Sequence, residues 1–403
     1  MADARATVQP GLWNMLRAAA VGAALFLAAC ASGPRIVPEA ERPAPVTRPV
    51  PVAPRPIQPG LPQDVERHRI ALLVPLSGPN AGVGRSLQNA TQLAVLDTRS
   101  DAMRITTYDT GAAGGAAAAA QQAIADGNRL ILGPLLAEEA RDVAPIARRA
   151  RVPVLSFSND ASVAGNGTYI LGYVPAQSIE RVVNYATRSG IKDFAGLIPT
   201  GLYGERASTA LLRTVEDAGG RVLALETYDG RPGSMASAVA KISRSPFQAI
   251  LIAGSTDGAV TAAPLIRRSA TGKTARLLGT ELWNTDSAIG GKAALGGAWF
   301  ASVPDNYYRQ YASKYRARFG AAPYRMSTLG YDAVLLTVRI ARDWRPGDEF
   351  PAARLTEREG FAGLDGAFRL GRDGVAERAL EVQEIRGGTT ATVSPAPPNF
   401  NGN

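Results

Sequence analysis

The 403-residue chain has one cysteine and one histidine, and this scarcity excludes several functions. A single cysteine can form no internal disulfide, so a folded region must be stabilised by its hydrophobic core. No Ser-His or Cys-His pair can be assembled around His68, which we expect at the surface where the first strand begins. Clustered histidines and cysteines of the kind that bind zinc are also missing. We therefore predict that the protein is not an enzyme and has no catalytic residues, metal site or cofactor.

The positive charge of the chain is spread along its length. There are 44 basic and 35 acidic residues, for a formal net charge of +9. No block of lysine and arginine interleaved with aromatic residues is present, and aromatics make up only 6% of the chain. Nucleic-acid-binding segments use such blocks to contact phosphates and stack on bases. We therefore expect no nucleic acid partner.

One short apolar run lies near the N-terminus. It covers residues 18–29, follows a basic residue and ends at Cys30. A basic flank, a short apolar stretch and small residues before a cleavage point are typical of a secretory signal peptide, and the run is too short to span a bilayer. The string Leu27-Ala28-Ala29-Cys30 resembles the lipobox of bacterial lipoproteins. The resemblance implies a signal peptide at 1–29, lipidation of Cys30 and, because Ala31 follows it, an outer-membrane anchor.

The segment after the cysteine is rich in proline, with ten prolines among residues 34–62. Repeated proline removes backbone donors and fixes φ, which excludes helix and sheet and favours an extended polyproline II spacer. We predict a tether at 30–63 that reaches on the order of 100 Å from the lipid surface. A folded domain at 64–390 and a disordered tail at 391–403 should follow.

From His68 onward, apolar strands alternate with helical segments. Residues 69–76 form a continuous apolar run closed by Ser77-Gly78-Pro79, as expected for a buried parallel strand. A second alternating series begins after 169–173. Such regularity predicts an α/β fold of two doubly wound parallel-sheet lobes, with a ligand cleft at the carboxyl ends of the strands. The first lobe should hold about 68–174 and 304–345, and the second about 175–303 and 361–390.

Near the end of the chain, residues 366–374 and 380–385 predict a β-hairpin that turns at Asp373-Gly374. This hairpin and five earlier strings, in the same order, resemble type I periplasmic-binding proteins of the leucine/isoleucine/valine-binding class. The resemblance implies their two-lobed fold with a small-molecule cleft. The five strings are 70–78, Leu132-Gly133-Pro134, 152–156, Tyr203-Gly204 and Tyr331-Asp332-Ala333.

A narrower set of strings resembles the penicillin-binding protein activator family of outer-membrane lipoproteins. These strings are 133–139, 156–160, 278–283 and 361–368. The resemblance implies a protein on the periplasmic face of the outer membrane that stimulates a peptidoglycan synthase, a class A penicillin-binding protein. The best-known members carry an N-terminal helical-repeat domain, and here the proline-rich tether stands in its place.

The resemblance to amino-acid binders also implies a set of cleft residues. In that class, hydroxyls and backbone N–H groups after the third and fourth strands hold the ligand carboxylate, and an acid of the second lobe holds its ammonium. Leu135 departs from the pattern because leucine cannot donate a hydrogen bond to a carboxylate. The candidates are Ser156, Ser158 and Asn159 for the carboxylate; Asp257 or Glu281 for the ammonium; Tyr203 or Trp283 as a stacking wall; and Ser77, Asn80, Leu135 and Ser255 around them.

Two functions follow from these observations. The favoured one is a lipid-anchored, non-enzymatic activator of a peptidoglycan synthase. The alternative is a substrate-binding lipoprotein of an ABC transporter for amino acids or related small molecules. In the first case, the candidate residues need only cap helices and line the interface between the lobes. In the second, they should contact a ligand.

Overall fold

The computed structural model describes residues 66–400. The predicted signal peptide, Cys30 and nearly all of the adjoining segment before the fold lie outside these residues. Within 66–400, no helix is long and apolar enough to cross a membrane.

The first lobe is built on a parallel sheet. Its strands are β1 (His68–Val74), β2 (Met103–Asp109), β3 (Leu130–Leu132), β4 (Val154–Ser156) and β5 (Thr168–Ile170), in the order β2-β1-β3-β4-β5. The helices between them are α1 (Ala81–Thr98), α2 (Gly115–Ala125) and α3 (Ala137–Arg149). The inner strands β1 and β3 contain apolar runs because both faces of the sheet are covered by helices there, whereas the edge strand β2 is mostly polar and half-buried.

The second lobe repeats this plan with a larger sheet. Its parallel strands are β6 (Asp193–Pro199), β7 (Arg221–Tyr228), β8 (Ala249–Ile252), β9 (Arg276–Gly279) and β10 (Trp299–Ser302). Its helices are α4 (Pro175–Arg188), α5 (Leu202–Asp217), α6 (Ser234–Ile242) and α7 (Thr256–Arg268). The prediction of two parallel-sheet α/β lobes is confirmed.

After β10 the chain returns to the first lobe. It forms α8 (Tyr308–Phe319), α9 (Thr328–Ala341) and a small antiparallel sheet of β11 (Phe361–Gly363), β12 (Gly366–Leu370) and β13 (Ala376–Arg378). Phe368 and Leu370 join the first-lobe core around Leu87 of α1. The prediction that 361–390 belongs wholly to the second lobe is therefore wrong for 361–378. The buried side chains of β12 join the same core cluster as those of α9, and not the clusters of the second sheet.

The chain then crosses back and ends in the second lobe. Strand β14 (Glu381–Arg386) pairs antiparallel with β10, and β15 (Thr389–Ser394) pairs with β14. The predicted hairpin partner 380–385 is thus β14, whereas β12 turns onto β13. The prediction of a disordered tail at 391–403 is corrected for 391–394, because Gly387 and Gly388 both have positive φ and make a tight turn that adds these residues to the sheet.

His68 is buried, contrary to the surface position expected from the sequence. It is 3% exposed, and its ring stacks on Trp344 with centroids 3.8 Å apart. Short 3-10 helices complete the described chain, at Ala161–Val163, Glu281–Thr285, Ile289–Gly291, Ala293–Leu295, Arg325–Ser327 and Ala352–Thr356.

Candidate functional site

A cavity of about 690 Å³ lies between the two lobes. It is lined by loops that follow β1, β3 and β4 of the first lobe and β9 and β10 of the second. Ligands of open α/β sheets bind in this position, and the volume suits a small organic molecule. The first-lobe wall is mainly apolar and aromatic: Val83, Leu135, Leu136, Phe157, Tyr324 and Met326. The opposite wall and the crossing segments are more polar: Gln177, Ser178, Glu281, Asn284, Ser302 and Arg378.

Glu281 is the buried acid of the second-lobe wall. It directly follows Thr280 at the end of β9 and is 9% exposed. The hydroxyl of Ser178 donates to its Oε2, and the hydroxyl of Tyr203 donates to its Oε1 over 3.2 Å. Burial raises the pKa of Glu281 to about 7, because these hydrogen bonds only partly stabilise the carboxylate and no described cation pairs with it. The site therefore offers a carboxylate without a counter-charge.

A buried ion pair forms the floor of the cleft near the crossings. Arg325 Nη1 donates to Asp365 Oδ1 over 2.7 Å, and Arg325 Nη2 lies 3.2 Å from Asp305 Oδ1. The guanidinium also stacks on the Tyr308 ring, 4.3 Å from its centroid. Asp365 further accepts hydrogen bonds from the hydroxyls of Tyr173 and Thr328. Burial opposes ionisation of Asp365, but the attraction of the Arg325 charge is stronger and lowers the pKa of Asp365.

Four of the candidate residues line the cavity. These are Asn80, Leu135, Asn159 and Glu281. Tyr203 reaches the site through its hydrogen bond to Glu281, and it also bonds Thr280 at 2.9 Å. The structure thus brings together one residue after β1, one after β3, one after β4 and the acid after β9.

Ser156 and Ser158 lie behind the cavity wall, where their hydroxyls form hydrogen bonds with the loops after β3 and β4. The Ser156 hydroxyl donates to the carbonyl of Pro134 over 3.0 Å and accepts from the backbone N–H of Ser158 over 3.1 Å. The Ser158 hydroxyl accepts from the backbone N–H of Asp160 over 3.1 Å. Both serines are at most 2% exposed. Their predicted role in holding a carboxylate is therefore corrected to a role in shaping the loop.

Trp283 is another correction, because it belongs to the second-lobe core and not to the cleft wall. Its indole is fully buried beside Phe300 and covers Gly279, where an added Cβ would lie 2.2 Å from the ring. The 3-10 turn that begins at Glu281 directs the indole inward while leaving Leu282 and Asn284 on the cavity.

The remaining candidates are exposed and outside the cavity lining. Ser77 follows β1, and Ser255 caps α7 by accepting from the N–H of Gly258 over 3.3 Å. Asp257 lies in the first turn of α7, where a negative charge stabilises the helix dipole. Ser255 and Asp257 therefore stabilise their own helix, and neither they nor Ser77 line the cavity.

Sequence reasoning missed Arg325, Arg378 and Tyr173, which the structure places on the cavity. They come from three separate crossing or return segments, so no local pattern joins them. Asn284 and Ser178 could have been inferred from their positions after a strand and at a helix start. Among residues 66–400, no cluster of three or more His, Cys, Asp or Glu side chains is arranged to hold a metal ion.

The chain belongs to the periplasmic binding protein family, whose model matches residues 68–390. Members of this family are ligand-binding proteins and not enzymes, and membership indicates a periplasmic location. An uncharacterized protein of Rickettsia prowazekii (strain Madrid E) is 25% identical over 339 residues, covering 81% of this chain and 88% of that protein.

Solved structures share the fold at lower identity. A putative branched-chain amino acid ABC transporter protein from Rhodospirillum rubrum has a TM-score of 0.70 and 21% identity, covering 81% of this chain and all of that one. A branched-chain amino acid transporter substrate-binding protein from Streptococcus pneumoniae, in complex with isoleucine, has a TM-score of 0.62 and 17% identity. That match covers 82% of this chain and 100% of the other. These likenesses confirm the type I periplasmic-binding fold implied by the sequence strings.

Proposed function

We propose that this protein is a substrate-binding protein of the kind that serves ABC transporters, and that it binds a small organic molecule between its lobes. The observation that carries this proposal is Glu281, a buried acid on the cavity with no cationic partner among the described residues. Leaving a buried charge unpaired is costly, and proteins retain such groups at functional sites. An amino group on the ligand would supply the missing charge.

The form of the cavity supports the same conclusion. Apolar and aromatic side chains of the first lobe, such as Leu136 and Tyr324, can cover the hydrocarbon part of a ligand. Polar groups of the second lobe, such as Asn284 and Ser302, face them. Ligand sites typically combine a mainly apolar lining with a few polar groups that fix orientation. The amino-acid transporter proteins that share this fold are consistent with transport.

The test is a thermal-shift screen of the purified protein with amino acids, amines, amides and carboxylic acids. A ligand at about 100 times its Kd should stabilise the fold by about 2.7 kcal/mol. Glu281→Gln should abolish the shift produced by amine-bearing hits, whereas the exposed control Glu205→Gln should retain it. If no compound stabilises the protein and none draws the lobes together in small-angle X-ray scattering, the proposal is wrong.

The other function inferred from the sequence, activation of a class A penicillin-binding protein, is not supported by the comparisons. It rests on the four activator-like strings, and the matched structures are transporter-type binding proteins. Lipidation of Cys30 and the outer-membrane location remain predictions on residues outside the described part of the chain. Failure of the purified protein to bind any class A penicillin-binding protein of its own organism would exclude the activator role.

A further inference from the structure

A short tail, residues 395–400, follows the edge strand β15 of the second lobe. Pro395, Pro397 and Pro398 make up half of it. Proline fixes its own φ and keeps the residue before it extended, so this spacing gives a stiff, extended segment and not a slack chain. All three prolines are exposed, and the tail joins none of the hydrophobic cores of the described lobes. We call this stiff segment outside the cores the C-terminal strap.

Arg181 of α4 fixes the first end of the strap to the second lobe. Its Nε donates to the carbonyl of Leu380 over 2.8 Å, and its Nη2 donates to Ser394 Oγ over 2.6 Å. The same Nη2 lies 3.2 Å from the carbonyl oxygen of Ser394 and 3.3 Å from that of Pro395. Because the donors of a guanidinium form a rigid fork, these contacts hold the start of the strap at one place on α4.

The other end of the strap reaches the first lobe. The guanidinium of Arg369 lies over the half-buried ring of Phe400, 4.6 Å from its centroid. Arg369 belongs to β12, whose neighbouring side chains Phe368 and Leu370 are part of the first-lobe core. Its Nε also contacts Glu377 Oε2 of β13 at 2.6 Å, which holds the guanidinium against the small sheet. A segment that starts in the second lobe therefore ends on a side chain of the first.

The strap connects the lobes at a point separate from the covalent crossings. The chain passes between the lobes after β5, after β10 and after β13. A cavity of about 880 Å³ lies between the strap, α4 and β13, so the strap bridges an open space beside the last of these crossings. Lobes joined by short crossings can rotate about them, and a further link away from the crossings restrains that rotation.

We propose that the C-terminal strap is a non-covalent tie that restrains rotation of the two lobes, and that its release at Phe400 widens their movement. The strap can be released without unfolding either lobe, because neither core contains it. A cation–π contact at a partly exposed site favours the attached form by only about two- to fivefold. Attachment and release are thus close enough in free energy for the tail to regulate lobe movement.

Pulsed electron paramagnetic resonance between spin labels in the two lobes tests this inference without any ligand. The labels are attached to Gln92→Cys on α1 and Arg213→Cys on α5, two exposed positions, in a Cys30→Ala background because the chain has no other cysteine. Removal of 395–403 should broaden the distribution of distances between the labels, because the lobes then rotate without the tie. Phe400→Ser, which keeps the rest of the strap, should broaden it in the same way.

Arg369→Gln should broaden the distribution less, because the Phe400 ring keeps its apolar contacts and only the cation is lost. Its matched control is Arg372→Gln, an exposed arginine in the turn between β12 and β13, and removal of 401–403 alone is the control for the shortened chain. Both controls should leave the distribution unchanged. If the shortened chain does not fold by circular dichroism, the two point variants decide the question. An unchanged distribution in any folded strap variant, or equal broadening in a control, overturns the inference and leaves the proposed function untouched.

Discussion

Arg206 of the second lobe forms an ion pair with Asp160 of the first, with Nη2 and Oδ1 2.5 Å apart. Asp160 lies in the loop after β4 and is buried, and Arg141 of its own lobe contacts its other oxygen at 2.6 Å. Burial opposes ionisation of Asp160, but the hydrogen bond from Arg206 and those from Ser162 outweigh it and lower the pKa. This ion pair between the lobes should stabilise their observed arrangement.

Removing Arg206 should therefore favour separation of the lobes. We expect Arg206→Ala to lower the stability of the observed lobe arrangement by about 1 kcal/mol, since Arg141 remains and Arg206 is partly exposed. Small-angle X-ray scattering of the ligand-free variant should show a larger radius of gyration than the wild-type protein. Arg213→Ala, on the same helix but exposed, should behave as wild type. An Arg206→Ala protein of unchanged dimensions would contradict this role.

The sequence predicted the parts of the fold that depend on local patterns. Apolar runs bounded by turn residues marked the parallel strands, and strand ends located Glu281 on the cleft. Arg325 and Arg378 could not be found this way, because they reach the cleft from segments far apart in sequence. Trp283 was predicted to line the cleft, but the 3-10 turn that begins at Glu281 directs its indole into the core. The sequence does not show which side chain of such a turn faces inward.

The ends of the domain were harder to predict for a different reason. The small sheet β11–β13 packs on the first lobe because Arg339 lies over the Phe361 ring and both Phe361 and Phe368 join the core there. No local sequence pattern reports such long-range contacts. The tail, by contrast, carried a signal that was overlooked. Gly387-Gly388 between two strand-like stretches is a two-residue hairpin turn, and it should have predicted β15.

Glu281 should make stability depend on pH. Its pKa is raised from 4.5 to about 7 in the folded protein, so the neutral form is favoured by folding. The resulting stability is fully present below pH 4.5 and is lost as the pH rises to about 7. Relative to Glu281→Gln, the wild-type free energy of unfolding should fall by at most about 3 kcal/mol across this window. Urea unfolding of both proteins at several pH values measures the difference, and parallel curves would refute the assignment.

His68 should make the stability depend on pH in the opposite sense to Glu281. Burial lowers its pKa below 6.5, although a hydrogen bond with the backbone of Trp344 opposes the shift. The folded protein therefore holds the ring neutral, and the stability this provides is present above pH 6.5 and lost as the pH falls through the folded pKa. Because the chain has one histidine, its NMR titration reports this pKa directly. As the pH falls below 6.5, the free energy of unfolding should decrease less for His68→Phe than for the wild-type protein. A titration midpoint above 6.5 would contradict the prediction.

Gly84 allows the start of α1 to approach the end of β1, which sets the position of the cleft wall. A Cβ at this residue would lie 1.8 Å from the carbonyl oxygen of Pro75, and Gly204 approaches Pro199 in the second lobe in the same way, at 1.7 Å. Backbone atoms cannot move aside as a flexible side chain can, so Gly84→Ala should destabilise the protein by about 1–3 kcal/mol. It should also weaken ligand binding, because Asn80 and Val83 would shift with the start of α1. Gly230→Ala is the matched control, since nothing lies within 4 Å of its added Cβ. Chemical denaturation of the two variants provides the measurement, and equal stability would show that α1 can move away from Pro75 at no cost.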